Sequence, residues 1–438
     1  MVRLITLLLM LGVGQQYRTM TNEQIAVELE KLAAELRLPE QPPAPPTNVV
    51  PVGASLSLAL MSAEAGSTLE LVEGGVYSCN CIASKKVTLK GKGIIETPNS
   101  STALTITGTD VVLADFTVRA SGTQNVNDLV VLKGKNTTLT DVTVQGNGAT
   151  KRGIQANGDT MLFENVKVLN IRQAGTEAAA VGIWDGTKLT INNSVLQGAS
   201  QSFLSGGAAP AVANHCPADI TITNSTLTRD LAWRGGGYAV KTGFELKCAK
   251  RVLVQDSTIE NVWVDGQTGA GITLTPSQYG NSPETVVEDV LFKRVKILNV
   301  GLGVNLLGFT QHTDPLRQTQ RAHNIRFEDC DFVISKAANG GHGSLMQAGR
   351  EPADIKFENN RITQDGEDFL RTSDSKPITG YSFTGNTVNR TGTYGVWTPT
   401  GSRGVGWAVT FPGGIIKSNT FTGAHATFKA NFPDNTWR

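Results

Sequence analysis

Hydrophobic and polar positions along this chain fall into a recurring frame: apolar, any, Asx, any, any, apolar. The frame starts at Leu113, Leu139, Phe163, Ile191, Ile222, Val254, Phe292, Phe327, Phe357, Phe383 and Ile416, at spacings of 24 to 38 residues. Its third position reads Asp115, Asp141, Asn165, Asn193, Asn224, Asp256, Arg294, Asp329, Asn359, Gly385 and Ser418. Its sixth is always apolar, from Val118 through Val168, Leu227 and Ile362 to Phe421. Such self-similarity marks a solenoid, in which one repeat cannot bury its apolar side alone. Segments such as "LTINNSVLQ" and "IKFENNRIT" alternate apolar and polar residues, the period of a strand with one buried side. The Asx interrupts that alternation. It tolerates left-handed backbone, so it predicts a bend between two strands. Another short strand precedes each segment, as in "GFELKC" or "AGITLTP". Two or three strands per repeat and no helix predict an all-β fold: a single-stranded parallel β-helix of about eleven coils. An antiparallel sandwich would not regenerate the same column order so often.

The flanks read differently. Residues 1–20 hold a cation followed by the apolar run "LITLLLMLGVG", the form of a secretory leader and too short for a membrane span. Residues 21–38 form a helix with a Thr21/Gln24 capping box and a short seam of Ile25, Leu29, Leu32 and Leu36. That seam makes residues 22–37 a possible homo-oligomer contact. A Pro-rich linker spans 39–51, and the β-helix domain spans 52–438. Ser55 to Ala65 is expected to cap the first coil as a short helix, with Phe428, Phe432 and Trp437 closing the other end.

The 438 residues carry 18% charged side chains and a net charge of +1, which argues against a nucleic-acid partner held by phosphate contacts. The five cysteines, Cys79, Cys81, Cys216, Cys248 and Cys330, lack metal-binding spacing. Most are expected as buried thiols, with one disulfide between Cys216 and Cys248 open.

The strand before each Asx segment offers an outward column. Aligned by its buried residue, that column reads Gln155, Trp184, Ser205, Glu245, Thr273, Asn305, Gln347, Arg371 and Trp397. Amide, hydroxyl and indole groups at ~4.8 Å steps suit a sugar chain, whose hydroxyls need donors and acceptors and whose ring faces lie on indoles. The longest insertions, 206–218, 276–285 and 309–322, follow this strand, and 230–242 precedes it. Loops of that length predict a cleft around Glu245, Thr273 and Asn305, rimmed by Trp233, Arg234, Lys241, Tyr279, His312, Arg317 and Arg321.

From about Pro51 to the C-terminus the chain resembles right-handed parallel β-helix proteins of the pectate-lyase-like superfamily. Within it, the chain is similar to secreted bacterial β-helix repeat proteins of unassigned activity. The phrases that carry this are "VPVGASLSLALMSAEAGSTLELVEGGVY", "GFELKCAKRVLVQDSTIENVWVDGQTGAGITLTP" and "VGLGVNLLG" with "RQTQRAHNIRFEDCDF". The resemblance implies lyases and hydrolases of acidic polysaccharides, or tailspike-like glycan binders. Its standard catalytic signatures do not carry over. Gly341-His342-Gly343 lacks the upstream carboxylates of polygalacturonase-like hydrolases, and Trp263-Val264-Asp265 is followed by Gly266 where pectate lyases have His.

Two chemistries remain. A hydrolase needs two carboxyl groups, for which Glu245 has Asp185 or Asp265 as candidate partners. A lyase needs a base and cations against a uronate. Glu245, Lys247, Asp265 and Arg317 are its candidate catalytic residues, with Lys241 and Arg321 neutralising charge, or calcium held by Glu245 or Asp265. The sequence thus predicts a secreted, polysaccharide-acting protein, a lyase before a hydrolase. The alternative is a non-catalytic tailspike or adhesin on a virion.

Overall fold

The computed structural model describes Thr47–Arg438 apart from residues 98, 279–281, 367, 375, 391–394, 398–405, 423–428 and 431. Of the separate unit at 1–46 it describes residues 21, 23, 24 and 27. There Thr21 Oγ1 accepts from the Gln24 amide at 3.3 Å and Gln24 Oε1 accepts from the Thr21 amide at 2.9 Å, which forms the capping box. The leader, the heptad seam of Ile25, Leu29, Leu32 and Leu36, and Phe428 lie outside the described residues.

From Thr47 onward the chain winds through three parallel sheets. Each coil runs from sheet A, across the Asx bend, to sheet B, then to sheet C and back to A. Among the described residues sheets A and B have 14 strands each and sheet C has 12. Fourteen strands make a stack about 60 Å long. The eleven repeats account for all but the first three strands of sheet A, Thr47–Val50, Thr68–Leu71 and Thr88–Lys90, which lack the Asx. The first of these falls inside the Pro-rich stretch and is already paired to the solenoid.

The repeat positions do what their chemistry dictates. Every third-position residue from Asp115 to Ser418, Arg294 included, has positive φ, between 49° and 70°. Every sixth-position residue is buried, and so is every first-position residue. Like side chains stack between coils. Phe292, Phe327 and Phe357 lie face to face with ring centroids 5.0 and 4.7 Å apart.

One end is closed by the helix Leu56–Ser62, whose first-turn amide at Leu58 donates to Ser55 Oγ and which buries Leu56 and Leu60. At the other, Trp437 stacks on Phe421 at 4.8 Å, and Phe432 packs against the core. Cys216 and Cys248 form a disulfide, Cys79 and Cys81 are joined, and Cys330 is a buried free thiol. Four of the five cysteines are thus oxidised, where mostly free thiols were expected. Adjacent coils bring the Cys216 and Cys248 Cα atoms to 5.4 Å, within bridging range.

Candidate functional site

Sheet C presents its outer face between two rims of loops, those arriving from sheet B and those leaving for sheet A. Strand pairing sets the outward column as Gln155, Gly182, Leu204, Glu245, Thr273, Asn305, Gln347 and Arg371, with Trp397 at the next backbone register position. Two rungs therefore differ from the alignment read off the sequence. Gly182, not Trp184, lies opposite Gln155, and Leu204, not Ser205, lies opposite Glu245. Ser205 is buried and donates to the Cys248 carbonyl at 2.7 Å. The reason is local. "AAVGI" and "QSFLS" carry no clear polar marker of the outer side, so the period-2 reading slips by two residues in the first and by one in the second.

Trp184 still faces outward, two residues beyond Gly182. A Cβ on Gly182 would meet its ring at 2.7 Å, so the indole lies back over the bare rung. The Arg152 guanidinium packs on that ring at 4.9 Å and is paired with Asp128.

At mid-stack a polar network crosses the sheet. Glu245 points outward yet is only 3% exposed, because neighbours roof it. Gln201 Nε2 donates to Glu245 Oε2 at 2.8 Å and to Glu177 Oε2 at 3.2 Å. The nearest oxygens of the two carboxylates therefore lie within about 6 Å of each other, close enough to act on one glycosidic bond. Lys241 bonds Glu177, and Lys247 Nζ lies 3.7 Å from Glu245 Oε1. Burial alone would raise the Glu177 carboxyl. The bonds from Lys241 and Gln201 and the charges of Lys241 and Lys247 outweigh it and hold that carboxyl below the usual glutamate range.

Two recesses flank the network and share Lys247. One, of about 340 Å³, is lined by Lys151, Arg152, Glu177, Trp184, Gln201 and Leu204 among others. The other, of about 520 Å³, is lined by Glu245, Val264, Thr273, Thr275, Asn305 and His342 among others.

Their geometry is held from inside and from the rim. Arg229, 1% exposed, donates to five backbone carbonyls, those of Gly198, Ala199, Ser200, Thr242 and Asn261. Two of these adjoin Gln201 and Lys241, so a buried guanidinium fixes the strand starts that carry the network. On the rim, Gly207 takes φ 89°, and a Cβ there would meet Lys247 Cδ at 2.8 Å. The loop thus lies directly on Lys247, and the Cys216–Cys248 disulfide ties it to the end of the same strand.

Several predicted residues fall elsewhere. Trp233 is not a rim residue: it is 5% exposed, packed edge-on to Tyr238 and covered by Arg172, because its apolar ring seats under the 230–241 loop. Asp185 accepts from the Ala211 amide at 2.9 Å and lies 3.5 Å from His215, so it anchors the 206–217 loop. Asp265 is exposed on the turn after Trp263 and lines neither recess. Arg317 and Arg321 belong to the 309–322 loop and line neither recess, Arg321 being bonded to the Glu351 carbonyl. Arg234 is bonded to Ala338 and Asn339 and sits over Trp263. Arg371 is paired with Asp368 at 2.8 Å, while Gln155 and Gln347 stay on the outer face, half-buried. Tyr279 lies outside the described residues.

Calcium does not fit the residues proposed for it. Both Glu245 oxygens face protein donors, and no cluster of three or more His, Cys, Asp or Glu among the described residues is placed to hold a metal. Glu177, Gln201, Lys151 and Arg229 were missed. Glu177 lies in a loop outside the repeat frame, and no sequence period points to it.

No family model matches the chain, and no curated protein sequence matches it. Solved structures do. A polygalacturonase from Erwinia carotovora aligns over 75% of this chain and 96% of its own, at 13% identity and a TM-score of 0.52. The catalytic unit of a GH87 α-1,3-glucanase from Streptomyces thermodiastaticus aligns over 88% and 69%, at 15% identity and a TM-score of 0.54. At such identity the likeness shows the fold, a right-handed parallel β-helix. Among the described residues no helix is long and apolar enough to cross a membrane.

Proposed function

We propose that this protein is a carbohydrate-active enzyme that binds a polysaccharide along the outer face of sheet C and hydrolyses it between Glu177 and Glu245. The observation that carries this is the single Gln201 amide shared by the two carboxylates, at the junction of two recesses. Glu177 and Glu245 supply the two carboxyl groups that the reaction needs, one as acid and the other as nucleophile or base. A lyase would need a base without a carboxylate partner, whereas Lys241 and Lys247 each hold one. The two named neighbours are by name enzymes of polysaccharides, which supports the substrate class by analogy of fold. The Cys216–Cys248 disulfide and the apolar leader both suit an extracytoplasmic compartment.

The test is product analysis on a panel of polysaccharides. New reducing ends should appear without the ultraviolet absorbance of an unsaturated uronate, and Glu177→Gln and Glu245→Gln should each reduce the rate at least about a hundredfold. Absorbance growth would replace hydrolysis by elimination. Full activity in both variants would remove the site.

A further inference from the structure

The two recesses differ in chemistry, and this difference specifies the substrate more closely than the carboxylates do. On the side of earlier coils, the recess holds the Lys151 ammonium, the Arg152 guanidinium paired with Asp128, the Trp184 indole, Lys247, and Glu177, whose charge Lys241 offsets. Lys151 has no carboxylate partner among the described residues. Gln201, which also lines it, is wholly buried, and its Oε1 has no protein partner. An indole face beside a free ammonium and a guanidinium takes a sugar ring that carries a carboxylate or sulfate. On the side of later coils, the recess holds Thr273, Thr275, Ser277, Asn305, Val264 and Leu307, and its charged groups, Glu245 and Lys247, face each other. Asn305 Oδ1 is buried there without a protein partner. It needs a donor such as a sugar hydroxyl. Among the described residues that line it, the one Lys or Arg is Lys247, which faces Glu245, so a second anionic sugar would find little to offset its charge.

We propose that the site reads a heteroglycan with charge polarity: an acidic sugar over Trp184 and Lys151, and neutral sugars over Thr273 and Asn305, with the cleaved bond between them. This rests on the reading of sheet C as the glycan face and adds the order of units to it. The rungs of Gly182 and Asn305 lie four strands apart, about 19 Å, enough for roughly four sugar units. A homopolyuronate fills the first recess but places charge in the second. A neutral glucan suits the second but leaves Lys151 without an anion.

Binding is tested separately from cleavage, with the whole chain, by affinity electrophoresis. The polymers are gellan and hyaluronan (acidic and neutral units mixed), polygalacturonate (acidic only) and dextran (neutral only). At least one mixed polymer should bind about tenfold more tightly than either homopolymer, and its binding should weaken as salt rises. Lys151→Ala should lose about tenfold on that polymer and most of its salt dependence. Asn305→Ala should lose affinity with the salt dependence kept. Dextran binding as tightly as the mixed polymers, tightest binding to polygalacturonate, no binding of any polymer, or a Lys151→Ala variant unchanged would each overturn the polarity. Cleavage is scored apart from this. If Glu177→Gln and Glu245→Gln leave it intact while the binding order holds, the hydrolytic pair fails and the polarity stands.

Discussion

Asn224 shows how one side chain sets the path of a coil. Its φ of 50° costs an ordinary residue, and a β-branched one most, while Nδ2 reaches Asn192 Oδ1 at 2.9 Å. Asn224→Val should lower stability by about 1–2 kcal/mol, whereas Asn224→Gly should cost less, since glycine keeps the bend and loses only the bond. Urea midpoints of the two variants check this order, and equal midpoints would contradict it. Glu177 gives a pH prediction at the same scale. Its carboxyl lies lower in the folded chain than in the unfolded one, so the folded state binds fewer protons in that window. The stabilisation is complete above the ordinary glutamate pKa and fades as pH falls through the lowered value. Glu177→Gln should therefore lose less stability than the parent between about pH 5 and pH 3. Parallel acid-unfolding curves would show that the Lys241 bond does not couple to folding.

The repeating elements were legible because each repeat votes again on the same periodicity. The Asx bends, the sixth-position core and the loops around sheet C all follow from column order alone. What was not legible lies where the period breaks. The Gly182 and Leu204 rungs slipped because small or apolar residues face both ways. Glu177 and Lys151 joined the site from loops and strand edges, whose approach is a product of the whole winding. Arg229 is the extreme case. A guanidinium inside a β-stack has no sequence signature, yet its five bonds hold carbonyls from three stretches of chain, 198–200, 242 and 261, at the base of the network. Arg229→Lys keeps the charge but offers three donors to those five carbonyls. It should cost upwards of about 3 kcal/mol, and folded protein should lose turnover because Gln201 and Lys241 shift. A variant with parental melting temperature and turnover would mean that the surrounding strands hold the network without it.

At the scale of the whole solenoid, each coil is stabilised chiefly by the coils on either side. The effect of a lesion should thus depend on where along the stack it falls. Trp437 closes the last coil, stacked on Phe421. Trp437→Ala should fray the final coils, raising amide exchange there while the strands around Glu245 keep their protection. Leu227 lies at the middle, 0% exposed, paired to Leu196 before it and Ile259 after it. A carboxylate there has no donor to meet and no end to escape through, and its desolvation penalty falls on both neighbouring coils. Leu227→Asp should therefore yield no soluble folded protein, and the stack should fail at the coils that build the site. Recovery of soluble Leu227→Asp protein with parental exchange protection around Glu245 would mean that the coils tolerate a central break. Stability would then be local to each coil and not transmitted through the column of sixth-position side chains.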